Sequence, residues 1–357
     1  MVEAGHQLLK KKEKEVFELQ LKTDSYAVET NVHFPAGLNL LWDISRKCLD
    51  TIERLHAITP VNSWRKIKYI RKNLKSEFRR TSHQVFKGKI EQAKEQSVKQ
   101  YLQLAQALKL KCEALLQTPA LGTDKETMAL ILHIELRNYV AYAHKFIGQI
   151  EGRQLKGEAI PAEEKVYSIF EPHTEWITKG KMNKRVELGH LLLTTTDQHQ
   201  FIIDYKIMKD EKDASQVKPL TERLEKKCDG KKISSDSFDK GFWSKDNFEI
   251  LTATTIEQVV LPKRGKHTKE DKERESSKAF TKLRHQHSAV ESNINMLEHH
   301  GLKRCMDKGL HGFKRCVFKC TGLQLAYFRE SLTNNRPKKA GAKRKTKAAI
   351  QAGGLKL

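Results

Sequence analysis

The chain lacks any apolar run of about 18 residues, the length that an α-helix needs to cross a bilayer. Hydrophobic residues make up 38% of its 357 residues, which is enough for two or three domains with buried cores. The first 14 residues are rich in lysine and have no apolar segment of the secretory kind. We therefore expect a soluble, cytoplasmic protein with no membrane partner.

Cysteine pairs with CxxC spacing are also missing. Six cysteines are scattered along the chain, a distribution that argues against a disulfide scaffold in a large cytosolic protein. Cys316 and Cys320, with Cys305 and nearby histidines, form an alternative zinc site. However, they interleave with apolar residues, as free buried cysteines commonly do.

Acidic residues are few relative to basic ones, and the net charge is +23. This balance favours an anionic partner, most often nucleic acid, although ribosomal, nuclease and membrane-surface proteins also fit the charge alone. Cations crowd residues 64–89, which form either a solvated helix face or a face that contacts phosphates. No acid follows Glu330, and we expect residues 331–357 to be a disordered basic tail.

Glycine and proline are nearly absent from residues 40–150, where apolar residues recur at helical spacing. This pattern predicts a large all-helical insert. The predicted organisation is a first strand region, the helical insert, a linker, the remainder of the core and the basic tail, at residues 1–39, 40–150, 151–165, 166–330 and 331–357.

Outside the insert, short alternating segments predict strands separated by helices. The strands are expected at residues 16–23, 166–170, 186–195, 201–208, 231–239 and 258–262. Helices are expected at 213–228, 245–254 and 313–329. The first strand places Leu19 and Leu21 on one side and Asp24 at its end, and residues 25–30 either extend it or form a second arm. The result is an α/β fold with a mixed sheet.

A basic loop at residues 263–277 leads into a predicted helix at 284–301. Val290, Ile294 and Leu297 share its apolar stripe. Its polar stripe contains Arg284, His287, Glu291, Asn295 and Glu298. From spacing alone this is either a solvated surface helix or a working face that carries Glu291.

Five segments occur in an order that resembles the DDE transposases of bacterial insertion sequences, most closely the ISNCY group. The segments are LKTDSYAVETNVHFP, KVYSIFEPHTEWITKGK, SFDKGFWSKDNFEIL, VVLPKRGK and RHQHSAVESNINMLEHHGLKRC. The resemblance runs from Leu21 to Leu325. It implies an RNase H-like catalytic core, interrupted here by the helical insert.

The resemblance also implies a triad of acids that binds two Mg2+ or Mn2+ ions. Asp24 stands where the first aspartate belongs, Asp239 in the Asp-Lys-Gly-Phe motif, and Glu291 in the His-x-x-Val-Glu-Ser motif. Mg2+ prefers such oxygen ligands, and two ions about 4 Å apart serve both the attacking and the leaving oxygen. The implied reaction cuts transposon DNA ends and joins the 3′-OH to target DNA. The resemblance also implies a bacterial, nucleoid-associated protein that acts as a homo-oligomer on paired ends.

Several other residues are open candidates. Asp204 and Asp236 are alternative metal ligands that lie outside the motifs, and His173, His285 and His287 are candidates for proton transfer. Candidate DNA contacts are Lys179, Lys181, Arg284, Lys338, Lys339, Lys343, Arg344 and Lys345.

The chain departs from the family pattern in three places. Glu298 occupies a position where some related groups carry a basic residue, and Pro35-Ala36-Gly37 replaces the usual Pro-Thr-Asp or Pro-Ser-Asp. The family also has a helical DNA-binding region before the core, which we expect to be missing here. Two alternatives therefore stay open: a truncated, catalytically inactive DNA-binding remnant, and an RNase H-like nuclease that cuts without joining.

Overall fold

A computed structural model describes residues 18–58, 62–117, 126–178, 186–228 and 231–333. The chain divides into two compact units. The first unit takes in Met1–Val28, Leu191–Cys305 and Lys314–Leu357, and the second takes in Glu29–His190 and Met306–Phe313. The second unit thus contains the predicted helical insert together with residues that the sequence analysis gave to the linker and the core.

Seven strands in the described residues form one mixed sheet. They are β1 (Glu18–Thr30), β2 (Glu175–Ile177), β3 (Glu187–Thr196), β4 (Ile202–Met208), β5 (Lys232–Phe238), β6 (Gln258–Val260) and β7 (Arg304–Cys305). The order is β2-β3-β1-β5-β6, with β4 paired to β3 and β7 to β1. β5 is parallel to both β1 and β6, whereas β3 is antiparallel to β2 and β4.

Side-chain hydrogen bonds show how β3 runs beside β1. The hydroxyls of Thr23 and Thr195 are hydrogen-bonded to each other. The hydroxyl of Thr30, which is later in β1, donates to the carbonyl of Leu188, which is earlier in β3. The two strands are therefore antiparallel. The fold is α/β with a mixed sheet, as expected.

Ten α-helices lie in the described part of the chain. They are α1 (Gly37–Ile58), α2 (Ile67–Lys87), α3 (Glu91–Leu116), α4 (Glu126–Leu155), α5 (Val217–Lys227), α6 (Lys245–Thr252), α7 (Lys269–Ser276), α8 (Lys278–His287), α9 (Ala289–Leu297) and α10 (Gly309–Thr333). A π-helical turn, Glu298–Leu302, follows α9. None of these described helices is long and apolar enough to cross a membrane.

The second unit is built on helices α1 to α4, which pack against one another. Its core includes the fully buried side chains of Leu41, Ile52, Tyr101 and Leu132. Burial of each such aliphatic side chain stabilises the fold by about 1.5–3 kcal/mol. This core explains why the apolar residues of 40–150 recur at helical spacing.

The core of the first unit lies on one face of β1 and β5. Leu21 and Phe238 are buried there with Leu220 of α5 and Leu251 of α6. α5 packs against β4 and α6. This layer supports the two strands that carry the candidate aspartates.

Many predicted elements are confirmed. The β3–β4 hairpin, the helices near 213–228, 245–254 and 313–329, and the strands near 231–239 and 258–262 all form. Residues 25–30 extend the first strand, so the prediction that Asp24 ends it is wrong. β1 continues because its later residues still find β3 as a partner.

Four further predictions need correction. Residues 166–170 form no strand, and the strand of this region is β2. The basic loop at 263–277 contains α7, because Thr268 and Asp271 form a capping box that satisfies free N–H groups at its start. The helix predicted at 284–301 begins earlier, at Lys278, and is interrupted at Ser288. α4 extends to Leu155, five residues into the predicted linker.

Gly301 closes the helical segment that carries Glu291, and its φ of 106° lies in the left-handed region. An alanine there is strained by about 1–2 kcal/mol. We expect Gly301→Ala to lower the free energy of unfolding by that amount, as measured by urea denaturation.

Gly148 is the matched control, because it lies inside α4 with no atom within 4 Å of an added Cβ. Gly148→Ala should raise stability by about 0.5–1 kcal/mol. If Gly301→Ala were as stable as the wild type, the left-handed turn would not be required.

Candidate active site

Parallel pairing of β1 with β5 brings the two candidate aspartates together. Lys22 pairs with Ser237, and Thr23 pairs with Phe238. The pairing ends there: Asp24 is the next residue of β1, and Asp239 follows the last residue of β5. Neighbouring strands lie about 4.8 Å apart, so the backbone carries both aspartates at the same end of this strand pair.

The two aspartates project from the same face of the sheet. Side chains alternate along a strand, so Asp24 shares its face with Lys22 and Tyr26, and Asp239 shares its face with Ser237. Thr23 and Asp236 point to the opposite face, where the Thr23 hydroxyl donates to Asp236 Oδ1 at 3.5 Å. The face with Asp24 and Asp239 is the candidate site.

The helical segment with Glu291 covers this same face. α8 packs on β5 and β6, and His287 Nδ1 at its end is 2.9 Å from Ser237 Oγ. The end of α8 therefore lies on the face of β5 that carries Ser237. Burial raises the pKa of Tyr26, and the carboxylate of Glu298, which follows α9, raises it further.

Glu291 lies on α9, after the interruption at Ser288, and its side chain is exposed. Because of this interruption, His287 and Glu291 do not lie on one continuous helix. The structure places Glu291 in the same unit as Asp24 and Asp239.

The donors suit a hard divalent cation, because all three are carboxylates with access to solvent. Asp239 and Glu291 are exposed and Asp24 is half-buried. One Asp24 oxygen accepts a hydrogen bond from the Ser25 backbone N–H at 2.7 Å. Across the residues that the structure describes, no three His, Cys, Asp or Glu side chains are gathered closely enough to hold a metal ion.

Lys22 and His287 set the charge around the aspartates. Lys22 is buried, with Nζ 3.5 Å from the Asp197 carbonyl oxygen, and its burial lowers its pKa against the opposing charge of Asp197. Burial also lowers the pKa of His287, with Asp239 opposing and Lys22 reinforcing the shift. A neutral imidazole is therefore favoured beside Asp239.

The tautomer of His287 follows from its partner. Ser237 Oγ donates its single proton to the Leu21 carbonyl at 3.2 Å. His287 Nδ1 must then be the donor toward Ser237 Oγ, because the hydroxyl has no second proton. In the neutral ring this leaves a lone pair on Nε2.

The structure gives the two competing aspartates other roles. Asp204 is buried and accepts hydrogen bonds from Arg223, at 2.8 Å, and from Lys227. Asp236 is buried on the opposite face of the sheet. Neither carboxylate is open to a substrate.

The histidine candidates separate in the structure. His285 is exposed on α8, as is Arg284, whereas His287 lies beside Asp239. His173 belongs to the second unit, where it is hydrogen-bonded to another histidine. The structure therefore leaves His287 as the candidate that accompanies the aspartates.

His173 lies in a chain of four side chains. Its Nδ1 is 2.8 Å from His190 Nε2, and its Nε2 is 3.0 Å from Glu171. His190 Nδ1 is 2.7 Å from Glu175. Burial lowers the pKa of His173, and the hydrogen bond to Glu171 opposes that shift.

The remaining predicted DNA contacts fall outside the described residues. These are Lys179 and Lys181 before β3, and the tail residues Lys338, Lys339, Lys343, Arg344 and Lys345. Five of the six cysteines are buried, and Cys316 is half-buried.

No protein-family model, curated protein or solved structure matches this chain. The site also contains Lys22 and Ser237, which the sequence analysis did not select. Their even spacing from Asp24 and Asp239 along the strands was the signal that could have found them.

Asp236 provides a test of the two sheet faces. Burial raises its pKa well above the ordinary value of 3.8, so its contribution to stability is fully present below that value. The contribution is lost as pH rises through the folded-state pKa. We expect Asp236→Asn to match the wild type in acid and to become the more stable protein as pH rises, measured by urea unfolding across pH.

The exposed Asp246 of α6 gives the control. Asp246→Asn should show no stability gain that grows with pH. A constant or reversed difference for Asp236→Asn would mean that Asp236 is ionised and stabilised in the folded protein.

Proposed function

We propose that this chain is a DDE transposase core that cuts transposon DNA ends and joins the 3′-OH to target DNA. It acts as a homo-oligomer on paired ends. The observation that carries the proposal is the arrangement in the first unit: Asp24 and Asp239 each follow the last residue pair of the parallel strands β1 and β5, and α8, which precedes Glu291, packs on β5.

The sheet supports an RNase H-like core. β1 lies between the antiparallel β3–β4 hairpin and the parallel strands β5 and β6. The first aspartate is on this central strand, the second follows the parallel strand beside it, and the glutamate is on a helical segment after β6. This is the distribution that the family motifs imply.

Asp24, Asp239 and Glu291 would hold Mg2+ or Mn2+. When bound, two such ions activate a nucleophile and stabilise the leaving oxygen of an in-line displacement at phosphorus. The three carboxylates supply hard oxygen ligands and leave coordination positions for water and phosphate.

His287 and Lys22 contribute to the charge around these acids. The Nε2 lone pair of neutral His287 can accept a proton from an attacking hydroxyl. The buried Lys22 ammonium lies on the same face as Asp24 and offsets part of its negative charge. Arg284, exposed at the preceding turn of α8, is available to a DNA phosphate.

One observation favours a second candidate. The described residues contain no ready-made group of three metal ligands, as expected of a catalytically inactive DNA-binding remnant. Such a protein would bind DNA in a salt-sensitive way and would cut it with neither Mg2+ nor Mn2+.

Asp239→Asn tests the proposal. It removes a charged ligand and keeps the shape of the side chain. We expect Mg2+-dependent nicking of DNA that carries the element's ends to fall by at least about 100-fold, since even groups that only support metal ligands are worth up to that much. Mn2+ binding followed by electron paramagnetic resonance should weaken as well.

Asp246→Asn removes an exposed acid from the same unit and should leave nicking and Mn2+ binding unchanged. Equal nicking by Asp239→Asn and the wild type would contradict the assignment of Asp239 as a catalytic residue. A wild-type chain that binds DNA but never cuts it would select the inactive remnant, and cutting without joining would select a nuclease.

A further inference from the structure

Four cations lie in a line along α2 of the second unit. They are Lys68, Lys72, Lys75 and Arg79, here called the α2 cation stripe, and their spacings of four, three and four residues keep them on one helical face. All four side chains are exposed. His83 and Phe86 continue the same line and are also exposed.

The stripe lies opposite the packed face of its helix. Leu74 is buried and Phe78 packs against the same core; both face away from the stripe on a helical projection. Arg71, on the flank, is joined to Asp50 and Glu53 of α1 at 2.6 and 2.7 Å. The helix is thus held in place by other residues, and the stripe is not needed to dock it.

None of the four stripe cations pairs with an acid among the described residues, in contrast to several other cations of the second unit. Arg54 pairs with Glu135, and within α3 Lys94 and Lys99 pair with acids three or four residues away. The only acid of α2 is Glu77, whose carboxylate is joined to Arg80 at 2.7 Å. The described acids therefore leave the four charges of the stripe uncompensated.

The length of the stripe suits a phosphate backbone. A helix rises 1.5 Å per residue, so Lys68 to Arg79 span about 16 Å. One strand of duplex DNA presents a phosphate every ~3.4 Å along the axis, so several phosphates lie within this length. Platforms for single strands rely on aromatic side chains, whereas the exposed aromatic residues of this helix, Tyr69 and Phe86, are not interleaved with the cations along the stripe.

We propose that the α2 cation stripe binds the phosphate backbone of duplex DNA without reading its sequence. The identity of the ligand as DNA rests on the proposed function. The binding surface does not, since it contains none of the carboxylates that would perform the chemistry. The helical insert then has a separate role, which is to bind DNA.

The test compares the full chain with a variant in which Lys68, Lys72, Lys75 and Arg79 are all changed to glutamine. Binding of a fluorescent DNA duplex is followed by anisotropy over a series of salt concentrations. We expect affinity at about 0.15 M salt to fall by at least about 10-fold. The slope of log K against log salt should become shallower by about 3.6, since each of the four lost phosphate contacts removes about 0.9.

A charge-matched variant controls for net charge. Arg46, Arg54, Lys94 and Lys99 each pair with an acid in the second unit, and changing all four to glutamine removes the same total charge. This variant should change the affinity by less than about 3-fold. Circular dichroism of both variants should retain the wild-type helix content, because all the changed side chains lie on the surface.

Three results would overturn the proposal: unchanged DNA binding by the stripe variant, equal losses in the stripe and control variants, or stronger competition by duplex RNA or phosphatidylserine vesicles than by duplex DNA. The outcome is separable from that of the proposed function. If the wild type never cuts DNA but the stripe variant alone loses affinity, the binding surface stands and the catalytic proposal falls.

Discussion

The parallel pairing of β1 with β5 is the constraint on which the candidate site depends. One residue of slippage would send Asp24 and Asp239 to opposite faces of the sheet, because side chains alternate along a strand. The register is held from the buried side, where Leu21 and Phe238 pack in the core and Thr23 meets Asp236. The apolar face of these strands therefore fixes the geometry of the polar face.

Charge is distributed in the two units in different ways. In the first unit, the candidate acids Asp239 and Glu291 are exposed and Asp24 is half-buried. In the second unit, acids of α1 and α3 pair with nearby cations, whereas the α2 cation stripe has no partner among the described acids. A strongly basic protein can thus keep a local acidic site and a separate surface for an anionic polymer.

Local patterns predicted much of the fold. Alternation identified the β3–β4 hairpin and β5, and helical periodicity identified the insert, because burial on one side imposes those periods. Failures came where a local or tertiary contact decides. The capping box of Thr268 and Asp271 created α7 in a charged segment, and the partnership with β3 carried β1 beyond Asp24. Ser288 interrupts the helix near Glu291 without any proline or glycine to announce it.

The α/β pattern, the helical insert and the excess of positive charge can be read from the sequence alone. The family motifs also select Asp24, Asp239 and Glu291 as candidates. The three-dimensional structure establishes which acids share a face. It buried Asp236, paired Asp204 with basic residues and put His287 beside Asp239, because contacts between distant segments leave little trace in local composition. Register and packing, not residue type, separate an accessible carboxylate from a structural one.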